Sequence, residues 1–365
     1  MKALTLTSNM AYSEIESYLK GVLQNMQAKQ TVFDTLNGED INQYSLTNTN
    51  GVTLSCLSYG ANWYELKVPT TNGDQNLILN FPKINDYVTT NPYLNMSIGR
   101  TAGRIGAGKF KIGEHEYKAP TNESGNTLHG GIHGFNEINW AGKIAANQII
   151  FTHTVTSQAD GFPGDLDVTI TYTLTDDNRI YLDYKVVSHG ETVFNPTNHA
   201  YFNLNHADQN IKNLELFLRS SQRLELGDAK IPTGKTLANT ETPYDFQTTK
   251  ALGAAIDGLQ DIPEKGLDDV FLIDQHADNE PIAILANPDE NLRVKIFSQR
   301  NAIVCFTANG FGADQPYIDK TGQPYVGVAL ESQITPNAIF DPAYGDLTLH
   351  DGETKHYQTH YLVEF

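Results

Sequence analysis

The stretch Asp165-Leu-Asp-Val-Thr-Ile-Thr-Tyr-Thr-Leu174, followed by Thr-Asp-Asp-Asn-Arg179 and then Ile180-Tyr-Leu-Asp-Tyr-Lys-Val186, decides the fold. Leu166, Val168, Ile170, Tyr172 and Leu174 alternate with Asp and Thr, and Ile180, Leu182, Tyr184 and Val186 alternate again beyond the turn. Successive side chains of an extended chain point to opposite faces, so this pattern is a hairpin with one buried face. Working outward, residues 52–58, 149–155, 214–218, 293–297, 303–307 and 357–365 read as further strands, with Gly, Pro, Asn and Asp between them. Beyond the N-terminal region, helical spacing shows weakly at residues 252–259 alone. Many short strands without a helical alternation predict an all-β chain built as a large antiparallel β-sandwich.

The first residues behave differently. Ile15, Tyr18, Leu19, Val22, Leu23 and Met26 recur at three-to-four-residue spacing, and Ser13 with Glu16 fits a capping box, which predicts an amphipathic helix over residues 13–28. Such a helix either docks on the body of the protein or binds a partner. The expected organisation is a helical extension over residues 1–30 and one sandwich domain over residues 31–365.

Twenty-five Lys and Arg against 43 Asp and Glu give a formal charge of −18, yet only 19% of residues are charged and 39% are hydrophobic. That composition supplies a core and excludes a chain that is disordered through acidity. Unrelieved negative charge repels phosphate backbones and anionic lipid surfaces, so neither nucleic acid nor a membrane is an expected partner, and a neutral small molecule is. No apolar run approaches the ~18–20 residues of a membrane helix, and the first eight residues lack a basic segment leading into an apolar one, so a cytoplasmic location is expected. Cys56 and Cys305 both sit in apolar alternations, where cysteine packs as a small hydrophobe rather than as a disulfide or zinc ligand.

Several familiar signatures are nearly present. Gly103-Arg-Ile-Gly-Ala-Gly-Lys109 leads to Phe110, which has no hydroxyl for magnesium, and strand-like sequence follows where a phosphate loop needs a helix. His129-Gly-Gly-Ile-His133 spaces two histidines by four, but its glycines oppose a zinc-protease helix and no Glu follows the first His. No Gly-x-Ser-x-Gly elbow exists to partner His129-Gly-Gly as an esterase oxyanion loop. What survives is a scattered polar set: Arg104 among glycines, His129, His199 in Asn195-Pro-Thr-Asn-His-Ala-Tyr, Asp268 beside Asp269, and Glu331 after Val328-Ala-Leu. Singly, each has an ordinary explanation as a loop anchor, a core histidine, a turn or a solvated strand end.

Together they resemble one family. The run GRTAGRIGAGKFKIGEHEYKAPTNESGNTLHGGIHGFNEINW (residues 99–140) is similar to the central signature of the aldose 1-epimerases, or galactose mutarotases. NPTNHAYFNL (residues 195–204) and VALESQITP (residues 328–336) resemble that family's second-histidine and glutamate motifs, in the same order. The resemblance extends from about residue 31 to the C-terminus. It implies the galactose mutarotase-like supersandwich with its sugar cleft on a concave face, and an isomerase that interconverts the α and β anomers of free aldoses without a cofactor. By resemblance, Glu331 is the general base, His199 the general acid and His129 a supporting donor near the ring oxygen, while Arg104 and Asp268 hold sugar hydroxyls.

The chemistry suits those residue types. Opening the C1–O5 bond requires one group to take the C1 hydroxyl proton and another to protonate the ring oxygen, which a carboxylate and an imidazole can do near neutral pH. Guanidinium and carboxylate groups can each engage neighbouring hydroxyls in pairs. Three departures bear on specificity. Gly103 stands where many relatives carry Asn, Asp269 follows Asp268 where many have His, and residues 303–307 are apolar where some relatives offer Gln. Asp268 is favoured over Asp269 as the inward carboxylate. A maltose-type disaccharide is therefore an alternative to galactose or glucose, a catalytically silent sugar-binding module is the non-enzymatic alternative, and phosphorylated hexoses find no basic cluster. A monomer or homodimer is expected. Histidine spacing suggests no metal, and His356 and His360, four apart, are expected at a solvent-exposed strand face.

Overall fold

In the computed structural model, which describes residues 26–365 apart from 72, 92, 207, 228 and 290, the strands Asp165–Leu174 and Arg179–His189 form the expected hairpin. Their register runs from Asp165 opposite His189 to Leu174 opposite Ile180. Leu166, Val168, Ile170, Tyr172 and Leu174 are all buried, whereas Thr169, Thr171 and Thr173 are half-buried on the other face. The Thr175 amide donates to the Arg179 carbonyl at 3.0 Å and the Arg179 amide to the Thr175 hydroxyl at 3.1 Å, closing the turn with Asn178 left-handed at φ 62°.

This hairpin lies inside a nine-stranded antiparallel sheet. On one side of it stand Gln148–Val155 and Ala141–Ala145; on the other, Thr354–Glu364, Arg293–Ser298, Ala283–Ala286, Glu215–Leu218 and Lys250–Ala251 follow in spatial order. A five-stranded sheet built from Gln27–Leu36, Glu39–Thr47, Thr53–Leu57, Asn62–Thr70 and Gly73–Asn76 packs Tyr44, Leu46, Leu54 and Leu66 against Phe151, Val168, Ile170 and Leu182 of the large sheet. Trp63 ties the layers: its ring lies 4.9 Å from Tyr361, 6.2 Å from Tyr172 and 6.1 Å from Phe202, with edge-on geometry in each case. Cys56 and Cys305 are free thiols buried in this same core.

A third sheet of six strands forms one wall of a cavity. Its spatial order is Tyr201–Phe202, Val328–Gln333, Ala302–Phe306, Asp268–Leu272, Gln222–Leu226 and Pro232–Ala238. Phe202, Val328, Leu330, Ile303, Cys305 and Phe271 turn inward and join the main core. By the two-residue alternation of strands, Tyr201, Glu331, Gln333, Val304, Phe306, Asp268 and Val270 face the opposite side, where they line one wall of a cavity.

Two corrections concern the ends of elements. A strand begins at Gln27, so the last two residues of the expected N-terminal helix are extended, and the sandwich starts ahead of residue 31; residues 13–25 lie outside the described residues. The helix expected near residue 252 is present as Leu252–Gly258, and two further short helices, Ile84–Thr89 and Ser157–Asp160, escape the periodicity argument because each spans little more than one turn. Among the described residues no helix is long and apolar enough to cross a membrane.

Candidate active site

The cavity on the outer face of the six-stranded sheet has a volume of about 310 Å³, and Arg104, His129, His199, Asp268 and Glu331 all line it. Residues more than 200 positions apart in sequence thus meet in one place, and different local devices hold each.

Arg104 and His129 arrive through a short ladder in which Arg104–Ile105 pairs with Thr127–Leu128. Just beyond it, the His129 amide donates to the Gly103 carbonyl at 3.1 Å, and the Gly103 amide donates back to His129 Nδ1 at 3.3 Å. Because Nδ1 accepts, the neutral ring carries its proton on Nε2, so His129 is a hydrogen-bond donor. Burial, followed by the neighbouring His199 and Arg104, pushes its pKa well below the ordinary value and keeps it neutral. His129 is itself left-handed at φ 52°, a strained conformation for a non-glycine residue. The next residue must be glycine: a Cβ on Gly130 would lie 1.9 Å from the Gly99 carbonyl oxygen.

His199 is fixed between two ladders, Thr197–Asn198 against Ser97–Ile98 and Tyr201–Phe202 against Val328–Ala329. Its ring stacks on Tyr201 at 4.9 Å and meets the edge of the His129 ring at 5.3 Å. Its Nε2 stands 3.4 Å from Glu331 Oε1, and the two side chains are only 6% and 2% exposed. At that separation the contact is longer than a good hydrogen bond. His199 Nδ1 and Glu331 Oε2 are buried and have no hydrogen-bond partner among the described residues, so this pair holds unspent polar capacity.

Burial dominates the electrostatics of the pair. It lowers His199 to about 4 and raises Glu331 from 4.5 to about 8, with Asp268 adding to the rise and Arg104 opposing it. Arg104 remains charged: burial works against it, but the Glu123 carboxylate, with Asp268 and Glu331 beyond, raises its pKa overall. Glu123 grips the guanidinium in two bonds, Nε to Oε2 at 2.6 Å and Nη2 to Oε1 at 2.7 Å.

The choice between the adjacent aspartates follows from alternation. Asp268 pairs with Phe306 and lines the cavity with it, whereas Asp269 pairs with Cys305 on the other face and lines a separate cavity beside Arg223 and Tyr244. Burial pushes Asp269 up to about 6. His133, four residues after His129, is exposed and lies 3.7 Å from Glu137, apart from the cavity. The stretch after Gly103 forms strand, a short 3-10 turn and strand, not a phosphate loop and helix. Of the terminal pair, His356 is exposed beside Asp183 at 2.8 Å, but His360 is half-buried, stacked 4.5 Å from Phe297, which corrects the expected exposed pair.

Gln333 and Glu123 are the residues that sequence reasoning missed. Gln333 is fully buried, lines the cavity, and neither its amide nitrogen nor its oxygen has a partner among the described residues. Its position two residues after Glu331 on a strand was a usable signal, since i and i+2 share a face.

Ligating atoms of His129, His199 and Glu331 lie within 4.8 Å of one another, close enough to consider a metal. The acceptor role of His129 Nδ1 argues against it, because the nitrogen left for a metal is the one bearing the proton. The donor set instead suits hydroxyls and a ring oxygen.

The aldose 1-epimerase family description matches residues 42–362. This chain belongs to the aldose 1-epimerase family. It is 34% identical over 330 residues to a maltose epimerase from Levilactobacillus brevis, covering 89% of this chain and 95% of that one. An aldose 1-epimerase from Streptococcus thermophilus is likewise 34% identical over 349 residues, covering 91% and 97% of the two chains. The solved structure of a galactose 1-epimerase from Lactobacillus acidophilus superposes with a TM-score of 0.79 at 26% identity, covering 93% and 99%. The expected epimerase fold and membership are therefore established.

The raised carboxyl has a consequence for stability. In the unfolded chain Glu331 ionises near 4.5 and in the folded protein near 8, so between these values unfolding releases a proton and rising pH favours it. Glu331→Gln has no such proton to lose. Chemical denaturation at pH 5 and pH 9 should show the variant gaining on the wild type by on the order of a few kcal/mol across that interval; an equal pH response in both proteins would contradict the burial argument.

Proposed function

We propose that this epimerase interconverts the α and β anomers of free aldohexoses of the galactose and glucose type by acid–base ring opening. The observation that carries the reading is the buried His199 and Glu331 pair, 3.4 Å apart with Oε2 and Nδ1 unpartnered, at the wall of a sugar-sized cavity. The C1 hydroxyl oxygen and the ring oxygen share one carbon, so two groups a few ångström apart can serve both. Glu331 takes the hydroxyl proton as the C1–O5 bond breaks, and His199 delivers a proton to O5. Rotation about C1–C2 and the reverse steps give the other anomer. The His129 Nε2–H supports the ring oxygen, and Arg104 and Asp268 hold the remaining hydroxyls.

A maltose-type disaccharide is the second reading. Leu226 and Lys230 line both this cavity and a neighbouring one of about 520 Å³, which leaves space for another ring next to the first. The proposal includes a cytoplasmic enzyme of hexose metabolism that works as a monomer or homodimer on a small sugar and needs no cofactor.

Polarimetry on freshly dissolved α-galactose, α-glucose and α-maltose tests the reading. Glu331→Gln and His199→Asn should each slow mutarotation by ~10²–10⁴ with sugar binding retained; saturable binding without acceleration by the wild type would identify a silent module instead. The working pair must hold one proton, as Glu331 carboxylate with imidazolium or its equivalent isomer. With ionisations near 4 and 8 in the sugar-free protein, kcat/KM against pH should be level between those values and fall on both sides, the two limbs belonging to the pair as a whole. A profile that keeps rising above pH 8 would remove Glu331 and His199 as a coupled unit.

Gln333→Leu supplies a third test. Losing two neutral hydrogen bonds to sugar should raise KM roughly tenfold, while removing an unpartnered buried amide should leave the sugar-free protein no less stable. Unchanged KM would show that the amide does not touch the substrate.

A further inference from the structure

Arg300 is buried without a counter-ion. It is 6% exposed, and among the described residues no carboxylate stands within 4.0 Å of its guanidinium. Arg100, the other deeply buried arginine, shows what the fold ordinarily provides. Its guanidinium meets the Asp160 carboxylate at 2.5 and 2.9 Å, the carbonyls of Pro163 and Gly164, and the Thr192 hydroxyl. Arg300 has instead a hydrogen bond from Nη2 to Asn195 Oδ1 and the face of Tyr357 at 4.1 Å. Among the described residues its Nε has no partner, and neither does the Tyr357 hydroxyl. Burial lowers the arginine pKa to about 10, so the charge persists at neutral pH. An unpaired buried cation costs several kcal/mol, and stacking on one ring offsets only part of that.

Both residues line a cavity of about 570 Å³ that shares no residue with the catalytic one. Ser298, Gln299, Asn301 and His356 add neutral or titratable polar groups to its wall, and Asp278 is the one carboxylate lining it among the described residues. We propose that this cavity is a second ligand site, for a small phosphate-type oxyanion, free or carried on a sugar phosphate, bound by Arg300 with the Tyr357 hydroxyl as an additional donor. The chemistry is that of a guanidinium and hydroxyl donors converging on oxyanion oxygens. Such a ligand supplies the missing counter-charge, which explains why a chain of formal charge −18 retains an uncompensated cation there.

Thermal unfolding of the full chain is followed against inorganic phosphate and, separately, glucose 6-phosphate, with chloride holding ionic strength constant. The wild type should show a saturable rise in Tm, and Arg300→Gln should need at least tenfold more of the same probe for the half-maximal rise. A rise with inorganic phosphate identifies the free ion as sufficient, and one confined to glucose 6-phosphate identifies the carried group. If Arg300→Gln does not fold, Tyr357→Phe decides, with an expected several-fold weakening. No saturable rise with either probe overturns the site, as does an unchanged half-maximal concentration in the deciding variant.

Discussion

The alternation of side chains along Val328–Gln333 is the constraint on which the site depends. Leu330 turns into the main core while Glu331 and Gln333 reach the cavity, and the register with Ala302–Phe306 holds that choice in place. A slip of one residue would bury the carboxylate among aliphatic groups and put Leu330 and Ser332 in its stead. The same alternation sorts Asp268 from Asp269 on the adjoining strand, so a single geometric rule selects two carboxylates from two segments 60 residues apart.

Electrostatics then specialises what the sheet presents. Arg104, His129, His199 and Glu331 share one small cavity, yet their surroundings diverge: Glu123 grips Arg104, Gly103 fixes the tautomer of His129, and burial drives His199 and Glu331 toward neutrality. Opposite shifts in neighbouring groups are how two proton carriers acquire different tasks. His129 is the least free of the set, since its backbone is held left-handed against a glycine that tolerates no side chain.

Much of this was legible beforehand where the signal was local or periodic. The Leu166–Leu174 alternation revealed a strand with one buried face because five consecutive odd-even choices agreed, and the histidine and glutamate motifs were readable as runs. Gln333 escaped because its place two residues after Glu331 marks the face the two share, but not that its amide lacks a partner, which shows only once its neighbours are placed. The Glu123 grip and the Arg300 contacts join residues 19 and 105 positions from their partners, and nothing in either segment names the other. The aspartate ambiguity arose because Asp269 stands where many relatives have His, and it resolves because the strand that begins at Asp268 sends the two side chains to opposite faces.

Asn195 joins the two segments that carry His199 and Glu331. Its side chain exchanges two hydrogen bonds with the backbone of Ile334, Nδ2 to the carbonyl at 2.8 Å and Oδ1 from the amide at 3.0 Å. One end of that clasp is four residues before His199 and the other three after Glu331. His199 and Glu331 are thereby riveted to a common frame, and breathing of the large sheets should carry them along together while the gap between them stays nearly constant.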